Sequence, residues 1–208
     1  MASAAARHRT VSSGTRTPGF AMLPALRAHI EAISPLTDPE WDAVSRVFTP
    51  RKLRKHQFLV QQGGPVPCDH WVARGLLRAY SVDGDGKEHI VQFAPEGWWC
   101  TDYHAFQNKA KAGFDIDCLE ASEVLCLRLA DRETLCRKIH AMERFFRVKS
   151  NLGYIALQRR IISLLRDPAA ARYRNFLKLY PGLAQRVPKK LLAAYLGVTR
   201  ETLSRVPP

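Results

Sequence analysis

Residues 142–166 form a long stretch without proline that is apolar at helical spacing. The apolar side chains fall on two stripes of the predicted helix. The first stripe holds Phe145, Val148, Leu152, Ile155 and Ile162; Arg159 occupies the position between the last two where an apolar residue would continue the period. The second stripe holds Met142, Phe146, Leu157, Ile161 and Leu164. A helix with two apolar faces needs two partners. We expect one face to pack on the chain's own core and the first stripe, Arg159 included, to form a homodimer interface. The alternative is burial of both faces within one chain.

The stretch from about residue 50 to residue 130 has a different pattern, in which short apolar runs are separated by turns. The segment Asp83-Gly84-Asp85-Gly86 predicts a hairpin turn, because both glycines tolerate a positive φ. Residues 114–118 alternate apolar and acidic side chains, which is typical of a half-buried strand. Six to eight short strands at such intervals predict a jelly-roll-like antiparallel β-roll. The fold class is therefore α+β.

The predicted elements divide the chain into four parts. Residues 1–22 are small, polar and basic, and predict a disordered tail. Residues 23–140 form the β-roll domain, which begins with two helices separated by Pro35. Residues 141–166 are the long dimerisation helix. Residues 167–208 form a short helical domain, whose last two helices are the candidate for a helix-turn-helix.

The net charge of +13 is distributed unevenly along the chain. Residues 1–127 contain 14 Lys and Arg against 14 Asp and Glu, whereas residues 128–208 contain 18 against 5. All the surplus positive charge thus lies in the last part of the chain. This pattern indicates a polyanionic partner, of which nucleic acid fits best. A basic surface that only promotes solubility is the alternative.

Composition excludes several other classes of protein. Hydrophobic residues at 46% and charged residues at 25% are ordinary values for a globular chain. No apolar run approaches the ~20 residues of a membrane-spanning helix. The five cysteines are scattered and contain no Cys-x-x-Cys pair. We therefore expect reduced thiols and a cytoplasmic location.

The last twenty residues meet the positional requirements of a helix-turn-helix. Ala193 is small where the two helices would cross, and Gly197 tolerates a positive φ in the turn. Pro188 suits the start of the first helix, while Thr199 can cap the second, whose first turn contains Glu201. The apolar positions that fill the angle between the helices are Leu192, Leu196, Val198, Leu203 and Val206. A helical hairpin in an unrelated core is the alternative.

The order of roll, long helix and terminal helix-turn-helix resembles the Crp/Fnr transcription regulators. Three segments carry the resemblance: residues 83–89 with Gln92-Phe93, residues 156–160, and residues 199–205 with the pattern Arg-Glu-x-x-x-Arg. It covers roughly residues 25–206. It implies a cyclic-nucleotide-binding-type roll, a homodimer that binds double-stranded DNA, RNA polymerase as a further partner and an unidentified small-molecule effector. The sequence contains no Gly-x-Ser-x-Gly, His-Glu-x-x-His, P-loop or Gly-x-Gly-x-x-Gly motif, so we expect a protein that is not an enzyme and has no cofactor.

The resemblance assigns the DNA contacts to residues of the terminal helices. By this analogy Arg200 and Arg205 reach guanine edges or phosphates, Glu201 a cytosine amine and Ser204 a phosphate. The complete predicted set is Lys189, Lys190, Thr199, Arg200, Glu201, Ser204 and Arg205. Pro207-Pro208 would stop the second helix near Val206. The alternative function is therefore a sensory or interaction module that has lost DNA binding through a shortened recognition helix.

Nucleotide-binding members of this family hold their ligand with a Gly-Glu pair and an Arg-Ser pair. Aligned through Trp99 and Phe106, these pairs fall on Thr101-Asp102 and Ala112-Gly113. Ala112 cannot neutralise a cyclic phosphate, and Lys111 would point to the opposite face of a strand. We therefore expect an effector other than cyclic AMP, if any. The predicted pocket comprises Trp99, Thr101, Asp102, Lys111, Ala112 and Gly113.

A metal-dependent enzyme is the remaining alternative. Cys100, Asp102 and His104 alternate along the chain, and Cys68 and His70 have the same spacing. A jelly-roll oxygenase, however, needs two histidines and a carboxylate on neighbouring strands. The sequence has no His-x-His followed by a nearby glutamate. We expect no metal site and no catalytic residues.

Overall fold

The computed structural model describes residues 22–206. The elements in chain order are α1 (Leu23–Glu31), α2 (Asp38–Val47), β1 (Thr49–Leu53), β2 (Phe58–Val60), β3 (Cys68–Arg74), β4 (Leu77–Val82), β5 (Glu88–Ala94), β6 (Trp99–Cys100), α3 (Tyr103–Asn108), β7 (Asp115–Cys118), β8 (Ser122–Arg128), α4 (Leu129–Lys138), α5 (His140–Arg166), α6 (Ala169–Leu179), α7 (Leu183–Arg186), α8 (Lys189–Leu196) and α9 (Arg200–Ser204). None of these helices is both long enough and apolar enough to span a bilayer.

Two helices precede the roll, as the apolar spacing predicts. Thr37 caps α2 with a reciprocal pair of contacts: its hydroxyl accepts a hydrogen bond from the Glu40 N–H, and the Glu40 carboxylate accepts one from the Thr37 N–H at 2.8 Å. The predicted disordered tail lies outside the described residues except for Met22. Met22 is buried in the core and is not part of a tail.

The eight strands of the described residues form two four-stranded sheets, in the orders β1-β8-β3-β6 and β2-β7-β4-β5. All paired strands are antiparallel. The hairpin between β4 and β5 turns at residues 83–87, where Gly86 has a φ of 77°. The predicted α+β class, with an antiparallel roll, is confirmed.

The first sheet separates two hydrophobic cores. Val72 and Val124 face the second sheet, whereas Trp71 and Leu125 face the helices α1, α2 and α5. Phe145 on α5 is fully buried in this helical layer and contacts the rings of Trp99 and Phe146. Phe145 therefore belongs to the core of its own chain, and its assignment to a dimer interface is wrong.

A third core joins the roll to the C-terminal helices. Phe93 on β5 packs on Tyr195 of α8 with a ring separation of 5.3 Å. Leu76 and Ile90 of the roll share this cluster with Leu192 and Phe176. The observed bounds of α5 agree with the predicted long helix to within two residues. The short helices α3 and α7 were not predicted, because six or four residues are too few to show a helical period.

Gly75 and Gly63 provide a matched pair for a stability prediction. Both have a positive φ, of 98° and 78°, so alanine is strained at either position. A Cβ at Gly75 would also lie 2.7 Å from the Ala121 carbonyl oxygen, whereas a Cβ at Gly63 meets nothing within 4 Å. We expect Gly63→Ala to lower the free energy of unfolding by about 1 kcal/mol. Gly75→Ala should cost about 1–3 kcal/mol more, because the backbone must move. Urea denaturation measures both, and equal losses would contradict the steric argument.

Candidate nucleic-acid interface

Helices α8 and α9 are joined by a tight turn at Gly197. This residue ends α8 in the left-handed conformation, with φ 67° and ψ 36°. The Thr199 hydroxyl then caps α9 by accepting a hydrogen bond from the Thr202 N–H at 3.1 Å. A left-handed glycine followed by a threonine cap turns the chain sharply between the helices. Gly197 thus occupies the bend that the sequence predicts.

The two helices bury one set of side chains and expose another. Leu192, Ala193, Leu196 and Leu203 are buried between them, while Val198 and Val206 are half-buried. Every residue assigned to DNA contact is exposed: Lys189, Lys190, Thr199, Arg200, Glu201, Ser204 and Arg205. The two helices thus expose four cationic side chains, two at the start of α8 and two on or next to α9.

Two polar groups of this surface already have partners within the chain. The Ser204 hydroxyl donates to the Arg200 carbonyl at 2.9 Å, and its lone pairs stay free to accept. Hydrogen bonds at the start of α9, from the backbone N–H of Glu201 and from the Thr199 hydroxyl, hold the pKa of Glu201 below its usual range. Glu201 is thus an ionised acceptor at neutral pH, which suits an amine donor.

Arg160 attaches this helical unit to the roll. Its guanidinium stacks on the Tyr195 ring at 4.0 Å and donates to the carbonyls of Ile90 and Tyr195 at 2.6 and 3.2 Å. It also donates to the Val91 carbonyl. Burial lowers the pKa of this guanidinium. One side chain of α5 therefore bridges β5 and α8.

Arg186 makes a second bridge that sequence reasoning missed. It donates to Glu96 at 2.8 Å and to Glu120 at 2.8 Å, so that α7 is tied to two loops of the roll. No spacing rule signals this contact, because the partners are 90 and 66 residues away in the chain.

Part of the predicted dimer stripe lies on the free surface of α5. Leu152, Ile155 and Ile162 are 53%, 41% and 51% exposed, although all three are apolar. Arg159 is exposed beside them, and Val148 is half-buried.

Both predicted stripes are buried at the start of α5, where Phe145 and Phe146 lie in the core, and both are open to solvent farther along, since Leu157 and Ile161 of the second stripe are 53% and 55% exposed. The expectation that the second stripe packs along its whole length on the chain's own core is therefore wrong.

The residues predicted to line an effector pocket do not form one. Trp99 packs in the helical layer against Phe146, at a ring separation of 5.5 Å. The Thr101 hydroxyl donates to the Cys68 carbonyl, and Lys111 is exposed. Only Asp102, Ala112 and Gly113 come together, and the prediction of a six-residue pocket is wrong. The prediction came from an alignment through Trp99 and Phe106, and an alignment gives the position of a residue along the chain but not the direction of its side chain.

The site of these three residues does not fit a cyclic phosphate. The buried Asp102 carboxylate accepts hydrogen bonds from the N–H groups of Ala105 at 3.1 Å and Gly113 at 2.8 Å. The Ala112 N–H donates to the Gly64 carbonyl. The donors that would receive a phosphate are thus occupied by oxygens of the chain itself, and the carboxylate would repel an anion.

The residues considered for a metal site are dispersed. The buried His70 contacts the Cys100 carbonyl through Nδ1 at 3.2 Å, whereas His104 is exposed on α3. Among residues 22–206, His, Cys, Asp and Glu form no group of three or more that could hold a metal ion.

Comparison with known proteins supports the roll. Residues 50–139 match the model of the cyclic nucleotide-binding domain. No curated protein sequence matches the chain.

Several solved structures have a similar fold. FixK2 from Bradyrhizobium japonicum is 19% identical, with a TM-score of 0.65 over 76% of this chain and 82% of that chain. CLP, a c-di-GMP responsive global regulator of Xanthomonas campestris, is 13% identical, with a TM-score of 0.64 over 81% and 89%. A protein of Eubacterium rectale assigned to the Crp/Fnr family of transcriptional regulators is 12% identical, with a TM-score of 0.64 over 82% and 81%. At these identities the similarity establishes the fold.

The Arg186 bridge should depend on pH. The usual pKa of a glutamate side chain is about 4.3. Hydrogen bonds from Arg186 are the main reason that the pKa of Glu120 lies below this value. The stabilisation is therefore present above the usual value and is lost as pH falls through the lower folded value. We expect Arg186→Gln to lower Tm by about 2–4 °C at neutral pH, for a contribution near 1 kcal/mol.

At a pH below the carboxyl range, the Tm difference between Arg186→Gln and the original chain should disappear. Arg46→Gln is the matched control, since Arg46 is exposed and makes no ion pair within the described residues. Calorimetry across this pH range measures all three proteins. A Tm difference that persists in acid would contradict the assignment.

Proposed function

We propose that this chain is a homodimeric transcription regulator of the Crp/Fnr type that binds a specific DNA sequence. One observation carries the proposal: every predicted DNA-contacting side chain on α8, on α9 and in the turn between them is exposed, in the part of the chain that contains all the surplus positive charge. The similarity of the roll to CLP and to the Eubacterium rectale regulator supports it. The sequence boundaries of the roll, the long helix and the DNA-binding unit form part of the proposal.

In this proposal α9 enters the major groove and α8 lies across the backbone. Arg200 and Arg205 contact guanine edges or phosphates, and the ionised Glu201 accepts from a cytosine amine. Lys189 and Lys190, at the exposed start of α8, contact phosphates. Phosphate contacts supply affinity, whereas the base contacts supply sequence preference.

The homodimer would form through the open face of α5. Exposed apolar side chains at Leu152, Ile155 and Ile162 recur at intervals of three and seven residues, as in a helix-helix interface. A two-fold dimer would place two copies of α9 about 34 Å apart, to meet successive major grooves on one side of a duplex.

Any effector would act through the contacts between the roll and the helical unit. Arg160 and Arg186 connect β5 and the roll's loops to α8 and α7. A ligand that favours one arrangement of these contacts would shift the population of dimers able to fit two grooves. The occupied N–H groups around Asp102 argue that this ligand is not cyclic AMP.

A palindromic DNA site is first selected from random sequences, and the binding of the chain to that site is then measured at different salt concentrations. The association constant should fall steeply as salt increases, because each phosphate contact releases counterions. A flat salt response would contradict the phosphate contacts. Failure to select any DNA would favour a sensory or interaction module instead.

Arg200 and Lys190 should affect DNA binding in different ways. We expect Arg200→Ala to lose about 1–3 kcal/mol of discrimination at one base pair. Lys190→Ala should weaken binding to all sequences alike. It should also make the fall of the logarithm of the association constant with the logarithm of salt concentration less steep, by the amount expected for about one phosphate contact. Competition assays with single-base variants of the site measure both effects. The same behaviour in the two variants would contradict the assigned roles.

The dimer is tested by placing a charge on the open face of α5. We expect Ile162→Glu to give a monomer, because an ionised side chain would be buried at the interface. Leu179→Glu is the matched control, on α6 and similarly exposed at 64%. Sedimentation equilibrium measures the mass of each. A dimeric Ile162→Glu variant or a monomeric control would contradict this interface.

A further inference from the structure

Two cysteines and two arginines share one face of the first sheet. In the β3–β8 register Cys68 lies opposite Arg128, and His70 lies opposite Cys126. In the β1–β8 register Thr49 lies opposite Cys126, which places Arg51, two residues on, on the same face. Opposite residues and those two apart along a strand point the same way. The side chains of Cys68, Cys126 and Arg128 therefore lie together at one end of β3 and β8, while Arg51, which lies opposite Val124, is on the same face farther along the sheet.

This end of the sheet leads from the core to solvent. Cys126 is buried between the two sheets, at 4% exposure, whereas Cys68 is half-buried at the first residue of β3. Arg51 and Arg128 are exposed. Cys68 is thus the more accessible of the two cysteines.

The surroundings of Cys68 favour its thiolate. The pKa of Cys68 is lowered to about 7, first by its pairing with the Cys126 thiol and then by the charges of Arg128 and Arg51, against the effect of burial. The same pairing raises the pKa of Cys126, which stays a thiol. For Cys136, the other half-buried cysteine of the described chain, burial raises the pKa. The two half-buried cysteines thus differ sharply in thiolate content at neutral pH.

We propose that Cys68 and Cys126 form a peroxide-reactive dithiol, in which Cys68 is the nucleophile and Cys126 the resolving thiol. The substrate class is hydrogen peroxide or an organic hydroperoxide. An accessible thiolate next to a second cysteine is the arrangement of redox-sensing sites. The proposal is independent of DNA binding.

The reaction takes place in two balanced steps. The Cys68 thiolate attacks one peroxide oxygen; the S–O bond forms, the O–O bond breaks, and hydroxide (or alkoxide) leaves and takes up a proton. The Cys126 sulfur then attacks the resulting sulfenic acid; the S–S bond forms, the S–O bond breaks, and water leaves with the Cys126 proton. Two sulfurs together lose two electrons, and one peroxide is reduced.

The second step requires a small movement of the backbone. Diagonal neighbours on antiparallel strands have Cα atoms about 7–8 Å apart, whereas a disulfide spans at most about 6.8 Å. Cys68 begins its strand after the loop of residues 61–67, so this end of β3 is the part that approaches β8. We therefore expect sulfenic acid to form before the disulfide, and the strained disulfide to be reduced readily by a small thiol.

The test treats the full chain with hydrogen peroxide, traps sulfenic acid with dimedone and identifies the modified cysteines by mass spectrometry. The original chain should yield a peptide pair joined through Cys68 and Cys126. Cys126→Ser retains a hydroxyl donor beside Cys68 and should accumulate trapped sulfenic acid there. Cys68→Ser should yield neither product. Cys136→Ser is the matched control and should behave like the original chain.

A second measurement needs no substitution. The alkylation rate of each cysteine in the original chain is followed from acid to alkaline pH. We expect Cys68 to react about five-fold or more faster than Cys136 at neutral pH, after allowing for the weaker nucleophilicity of a low-pKa thiolate. Equal rates, a disulfide that joins Cys68 to a different cysteine, or no trapped sulfenic acid in Cys126→Ser would each overturn the proposal.

Discussion

Strand β8 is buried on both faces, and the two cores of the roll depend on it. Val124 and Cys126 point into the space between the two sheets, while Leu125 and Leu127 point into the helical layer. Because side chains alternate along a strand, a shift of one residue would exchange the contents of both cores. The strand runs directly into α4, so its register also determines where α5 begins. The same register brings Cys126 beside Cys68.

The roll and the C-terminal helices are connected by polar groups around an apolar cluster. Two guanidinium groups make most of these polar contacts. Arg160 from α5 donates to a carbonyl of β5 and to one of α8, and Arg186 donates to two carboxylates of the roll. Arginine suits both positions because its fork of five N–H donors can reach several acceptors at once. In the proposed regulator these contacts are the physical route by which a change in the roll would reorient α9.

Similarity to the cyclic nucleotide-binding domain describes the backbone of the roll and not its chemistry. Where a cyclic phosphate would need free N–H groups, the carboxylate of Asp102 holds those of Ala105 and Gly113. Elsewhere in the roll, Cys68 is only half-buried at the first residue of β3. A roll of this topology can therefore lack a site for a cyclic nucleotide and still contain a reactive cysteine.

Local signals in the sequence determined the elements and the turn of the candidate site. Helical spacing predicted α5, glycines predicted the β4–β5 hairpin, and Gly197 with Thr199 predicted the bend between α8 and α9, because each depends on neighbours within a few residues. Only the tertiary structure decided which part of α5 is covered, so that Phe145 lies in the core of its own chain while Ile162, on the same stripe, remains open. It alone also placed Trp99 away from Asp102, and Arg186 between two glutamates. These contacts join residues far apart in the chain, and no local period or spacing encodes which distant surface a side chain will meet.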